Sequence, residues 1–95
     1  MSEIEEYSNM SKVISNAKRI LRGKSYQLEL STRKDKKYMI KFSNDDKWIH
    51  FGQMGYEDYT YHNNPIRRNR FLKRNIKWSK QDYNTPGFLS YYLLW

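Results

Sequence analysis

Seven cations fall within fourteen positions of this chain: Arg67, Arg68, Arg70, Lys73, Arg74, Lys77 and Lys80. Only Asp82 opposes them in residues 60–95, whereas residues 1–59 hold 11 Lys and Arg against 9 Asp and Glu. Like charges this close repel one another unless something of opposite sign offsets them. A polyanion is the commonest offset, with nucleic acid the first candidate. An acidic protein surface or an anionic lipid surface would meet the same electrostatics, and a plain solvated helix face is the bland alternative. Arginine leads the cluster, and its planar fork suits bidentate phosphate contact. Tyr56, Tyr59, Tyr61, Trp78 and Tyr83 flank the run. Exposed rings beside positive charge can stack on unpaired bases, although a small domain needs most of its rings for packing.

Other chemistry is weaker. His50 and His62 bracket Glu57 and Asp58, and His with carboxylate is a zinc- or manganese-binding donor set. The spacing matches no metal motif. A nuclease needs two or more carboxylates held near one metal, and Asp45, Asp46, Glu57 and Asp58 all fall in turn-like segments. The expectation is no metal, no cofactor and no catalysis, with His50 an ordinary strand residue.

Composition bounds the rest. With 95 residues there is room for one small domain. Apolar residues make up 38% and aromatic residues 17%, enough for a compact, ring-rich core rather than a disordered tail. The absence of Cys removes disulfide scaffolds and thiolate metal sites. The formal charge is +8 and the pI about 9.7. No apolar run approaches the roughly 20 residues of a membrane span, and the start, Met1-Ser2-Glu3-Ile4-Glu5-Glu6, has no hydrophobic segment. These features predict a soluble intracellular protein without membrane contact.

The elements that must position the basic run can be read from periodicity. Residues 1–8 read as a flexible acidic tail and 9–95 as a single domain. Met10, Val13, Ile14, Ala17, Ile20 and Leu21 mark one face of a helix over about residues 9–22. Ser8, Asn9 or Ser11 would cap it, and Gly23 would end it. Tyr26, Leu28 and Leu30 alternate with polar residues, as do Tyr38, Ile40 and Phe42; residues 47–51 give a third strand. Tyr38, Phe42 and Trp48 are assigned to the core. Short polar connections imply an antiparallel meander. Gly52 and Gly55 break it, and residues 52–64 read as a structured loop.

Asn64-Pro65 opens a helix predicted to reach about Asn75. At 100° per residue Ile66, Asn69, Leu72 and Ile76 share one side. Arg67, Arg70, Arg74 and Lys77 form a ridge roughly 20° to 100° round from Ile66. Thr85-Pro86-Gly87 repeats the cap-and-proline signal. Phe88 to Trp95 is then a short apolar helix or an extended arm, serving to close the core or to form an interface, including one with a second copy.

One set of words invites comparison. His50-Phe51-Gly52, Gly55-Tyr56-Glu57-Asp58-Tyr59-Thr60 and His62 are followed by Arg67-Arg68-Asn69-Arg70-Phe71-Leu72-Lys73-Arg74, Thr85-Pro86-Gly87-Phe88 and Leu93-Leu94-Trp95. In order and spacing, the stretch from Lys37 to Trp95 resembles a family of small uncharacterised proteins of large nucleocytoplasmic DNA viruses. Some relatives have a His-Gly pair between the basic helix and the tryptophan, where Asn75-Ile76-Lys77-Trp78 stands here. The resemblance implies a viral origin and a host-cell setting (cytoplasm, viral factory or nucleus), with packaging in the virion an extension of it. It carries no catalytic assignment.

The expected fold is α+β: an N-terminal helix packed on a three-stranded antiparallel meander, then one or two C-terminal helices. The expected function is a non-enzymatic viral module that binds nucleic acid, DNA or RNA, through phosphate contacts from a basic helix at about residues 65–77. Arg67, Arg70, Arg74 and Lys77 would carry the affinity, joined by Arg68, Lys73, Tyr56 and Tyr59. The alternative is a structural virion component, a minor capsid or cementing protein, using the basic ridge and the C-terminal apolar run as protein interfaces.

Overall fold

The structure, a computed structural model, describes residues 3–95. Helix α1 spans Met10–Ile20. It begins where expected because the Asn9 side chain accepts from the Lys12 backbone N–H at 3.2 Å. It ends ahead of Gly23, whose φ of +84° is open to glycine and strained for other residues. Val13, Ala17 and Leu21 are buried on its inner face, with Met10 and Ile20 beside them. Ile14, assigned to the same stripe, sits at its margin and is 37% exposed.

The sheet has the order β1-β2-β3 and is antiparallel throughout. Strand β1 is Tyr26–Leu30, β2 is Lys36–Phe42 and β3 is Ile49–Gln53. Register aligns Leu30, Tyr38 and Phe51 in one row and Leu28, Ile40 and Ile49 in the next. Cross-strand neighbours of this kind are the unit of sheet stability. β3 starts two residues later than residues 47–51. Phe51 enters the core, whereas Trp48, assigned to the core from the sequence, precedes the strand and stays half-buried outside it, with the Lys41 ammonium 5.7 Å from its ring.

The core gathers Tyr38, Ile40, Phe42 and Phe51 from the sheet, the α1 stripe, and Leu89, Leu93 and Leu94 from the C-terminal run. Each fully buried side chain of this size contributes about 1.5–3 kcal/mol. The C-terminal run is helical rather than an extended arm. After the Thr85 cap comes a short helix, Pro86–Leu89, continued by a wider π-type turn over Ser90–Leu94. Asn16 donates to the Leu93 carbonyl at 2.8 Å, tying α1 to this segment.

The acidic tail needs correction. Met1 and Ser2 lie outside the described residues, but Glu3–Glu6 forms a 3-10 turn, and Ile4 and Ser8 are buried. One apolar side chain among the acids and one hydroxyl with partners in the fold are enough to dock the segment.

Candidate functional site

A chain of buried polar groups underlies the site. The Tyr38 hydroxyl donates to Ser8 Oγ at 2.7 Å. Ser8 Oγ lies 3.2 Å from Thr60 Oγ1, and Thr60 in turn donates to Asp58 Oδ1. Since Thr60 spends its only proton there, Ser8 donates to Thr60. On the other side Lys37 Nζ meets Asp58 Oδ2 at 3.1 Å and the Tyr56 carbonyl at 2.5 Å. The backbone closes the knot: Asp58 N–H donates to the Tyr7 carbonyl at 2.9 Å, and Asn9 N–H to Thr60 Oγ1 at 2.9 Å. Burial pulls the Lys37 pKa down, while the Asp58 charge pushes it back up. Burial pushes the Tyr38 hydroxyl up to about 12; the Ser8 hydrogen bond opposes this and the Asp58 charge adds to it. Asp58 and Thr60 are therefore framework groups. They fix the loop that carries Tyr56 and Glu57.

A single turn of helix, α2 (Tyr59–His62), follows this loop, and its C-cap Asn63 is left-handed at φ 54°. Helix α3 is Pro65–Arg74. The Asn64 side chain accepts from Ile66 N–H at 3.0 Å and Arg67 N–H at 3.2 Å, satisfying donors that a helix start leaves unpaired. No α3 residue is fully buried. The apolar side predicted for it does not reach the core: Ile66 is 64% exposed, and Ile76, beyond the helix end, is 51% exposed. The helix is instead held by rings and charges. Phe71 lies flat on Trp95, centroids 4.2 Å apart and planes 6° from parallel, and meets Trp78 edge-on at 5.9 Å. Arg68 Nε donates to the Trp95 carbonyl at 2.7 Å, and its guanidinium sits 5.3 Å from the Tyr59 ring centre. Arg67 pairs with Glu57 at 2.9 Å.

Between α3, β3 and the C-terminal segment lies a cleft of about 420 Å³. Lys37, Arg67, Arg70 and Arg74 line it, with Glu57 the one acid on its wall among the described residues. Two of these cations are already answered, Lys37 by Asp58 and Arg67 by Glu57. Among the described residues Arg70 and Arg74 form no ion pair. They stand one helical turn apart, where side chains are neighbours. The cleft therefore carries two uncompensated positive charges. Its other walls include the rings of Tyr56, Phe71, Trp78 and Trp95.

Of the eight residues expected at the site, Arg67, Arg70, Arg74 and Tyr56 meet in this cleft. Arg68 and Tyr59 contact each other and brace α3. Lys73 is exposed on the helix, away from the cleft walls. Lys77 leaves the ridge because α3 stops at Arg74 and a 3-10 turn, Ile76–Lys80, follows; continuing the 100° spacing past Asn75 misplaces it. Trp78, expected to flank the run, lines the cleft too, whereas Lys37 and Trp95 were not expected there. Their places depend on β2 and on the returning C-terminal run, which no local pattern joins to α3.

The histidines are separate from one another. His50 Nδ1 is 2.7 Å from Ser31 Oγ. His62 Nδ1 accepts from Asn64 N–H at 2.9 Å, so its proton resides on Nε2, which is buried with no hydrogen-bond partner. Burial, and next the Arg67 charge, hold the His62 pKa below its usual value. Burial, and next Arg33, do the same at His50. Among the described residues no three His, Asp or Glu side chains cluster as a metal site would require. No described helix is long and apolar enough to cross a membrane.

Comparison with known proteins adds one result. Residues 26–75, running from the start of β1 to the C-cap of α3, match the model of a family of unknown function, DUF5754. The chain belongs to that family. The DUF5754 match takes in the whole sheet, the Asp58 loop and the basic helix, and stops short of Trp78 and Trp95. Among curated proteins and among solved structures there is no significant match.

Proposed function

We propose that this protein is a non-enzymatic nucleic-acid-binding module that grips phosphates through the cleft face of α3. The observation that carries this reading is the pair Arg70 and Arg74, which line a cleft without an acidic partner while Arg67 and Lys37 beside them each have one. Two guanidiniums held one turn apart in a half-enclosed space repel each other, and a phosphate between them removes that repulsion. The α3 termini are consistent with this use. Asn64 caps the helix rigidly, and the Phe71–Trp95 stack fixes its rotation. The viral origin and host-cell setting implied by the resemblance belong to the same proposal.

The alternative, a structural virion component, relies on two protein-facing surfaces. Leu89, Leu93 and Leu94 are buried in the core, so the C-terminal run leaves that reading only the half-buried Phe88, Tyr91, Tyr92 and Trp95 beside the basic face. Fluorescence-anisotropy titration with duplex DNA, single-stranded DNA and duplex RNA at several salt concentrations tests the proposal. Micromolar or tighter binding that weakens steeply with salt is expected. Absence of binding at low salt refutes it and favours the virion reading.

A further inference from the structure

We infer that the cleft takes one unpaired nucleotide of a single strand, its phosphate on Arg70 and Arg74 and its base against the rings of Tyr56 and Trp78. This rests on the phosphate-binding reading above and adds the ligand's form.

The rings of the cleft differ in which faces are free. Phe71 and Trp95 cover each other, so each already has a face filled by the other. Trp78 is different. Gly87 backs it so closely that a Cβ there would lie 2.9 Å from Trp78 Cγ, and Phe71 meets it edge-on. The indole is thus wedged in place from behind while still lining the cleft. Tyr56 is the opposite case. Its side chain is 66% exposed, yet its carbonyl is clamped by Lys37 Nζ, itself paired with Asp58 inside the fold. A ring exposed to water on a rigid stem is a poor core residue and a suitable stacking platform.

Size and polarity agree with a nucleotide. A cleft of about 420 Å³ falls within the roughly 300–1,000 Å³ usual for small-ligand sites. Two unpaired guanidiniums at one wall and rings at the others reproduce the two halves of the ligand, an anion and a flat π-face. Bases in a duplex are stacked on their neighbours and have no free face to offer. The site therefore discriminates for single strands, with little preference among bases, because every base has a π-face.

The test uses three labelled probes: a single strand roughly 8 nucleotides long, within the usual range of site sizes, the same sugar-phosphate strand without bases, and the corresponding duplex. The base-bearing strand is expected to bind at least about tenfold tighter than the abasic strand, the scale of one stacked base. Tyr56→Ala, which changes an exposed side chain and spares the fold, is expected to remove most of that difference while leaving abasic affinity unchanged. Equal affinity for base-bearing and abasic strands overturns the nucleotide site and leaves the phosphate reading standing. So does tighter binding of the duplex. Failure of all three probes to bind removes both.

Discussion

The Phe71 ring lies parallel on Trp95, 4.2 Å from centroid to centroid. This contact joins the middle of the basic helix to the end of the apolar C-terminal run, and it substitutes for the buried face that α3 lacks. Ring pairs of this kind contribute about 0.5–1.5 kcal/mol beyond the area they bury. The orientation of Arg70 and Arg74 therefore depends on this stack, with the Arg67 and Arg68 contacts, more than on the core.

Trp95→Ala should detach α3 selectively. Stability should fall by about 1–3 kcal/mol, the stack plus part of the ring's burial. Hydrogen exchange should lose protection over α3 and retain it in β2. Uniform loss across both elements would show that α3 and the sheet open as one unit.

The buried pair of Lys37 and Asp58 predicts a larger cost. Asp58→Ala leaves a buried ammonium uncompensated and removes the acceptor at the end of the Tyr38–Ser8–Thr60 chain. Breaking one side of such a pair costs about 3–5 kcal/mol, to be read from urea melts. A cost under 1 kcal/mol would mean that the loop rearranges and that the network does not fix it.

Gly52 combines a left-handed backbone with close neighbours. Its φ is +80°, and a Cβ there would meet Leu94 Cδ1 at 2.8 Å and the Lys37 stem at 3.2 Å. Gly52→Ala should destabilise by about 1–3 kcal/mol through combined strain and overpacking. Gly55→Ala should cost less, since its φ of +96° is equally unfavourable but nothing lies within 4 Å.

Acid should weaken the fold through the histidines. A pKa held below the unfolded value means that the unfolded chain binds the proton more readily. Stability from this source is complete above about pH 6.5 and is lost as pH falls below it. At His62 the imidazolium also costs Asn64 N–H its acceptor at the start of α3. Arg67 and Lys37 oppose protonation there, while Glu57 and Asp58 favour it. Thermal melts from pH 7.5 to 5 should show falling Tm, and His62→Gln should flatten the slope. An unchanged slope would assign the effect to His50 or to other groups.

Much of this architecture was legible in the sequence, for physical reasons. Strand alternation, the Asn9 and Asn64 caps, Pro65 and Pro86 are local signals, and each element they mark is present. Tail docking by Ile4, the exposure of Ile66 and the exit of Lys77 from the helix were not legible. Each depends on tertiary contacts or on where a helix stops, and neither follows from spacing. Asp58 drew notice as a metal-ligand candidate and turned out, with Thr60, to be the internal fastening of a loop. The cleft was half visible: its arginines share a face by periodicity and Trp78 follows them directly in the chain, but Lys37 and Trp95 arrive from elements distant in sequence.

The most direct test is charge reversal at the two unpaired arginines. Arg70 and Arg74 are exposed and, among the described residues, form no ion pair, so with Arg70→Glu and Arg74→Glu together the melting transition should stay near that of the parent protein. Nucleic-acid binding, followed by anisotropy against salt, should be abolished. The milder pair Arg70→Ala and Arg74→Ala should lower the slope of log affinity against log salt by about 2 on duplex DNA. Undiminished binding by the folded charge-reversed protein would contradict the account and remove the α3 cleft as the phosphate-binding surface.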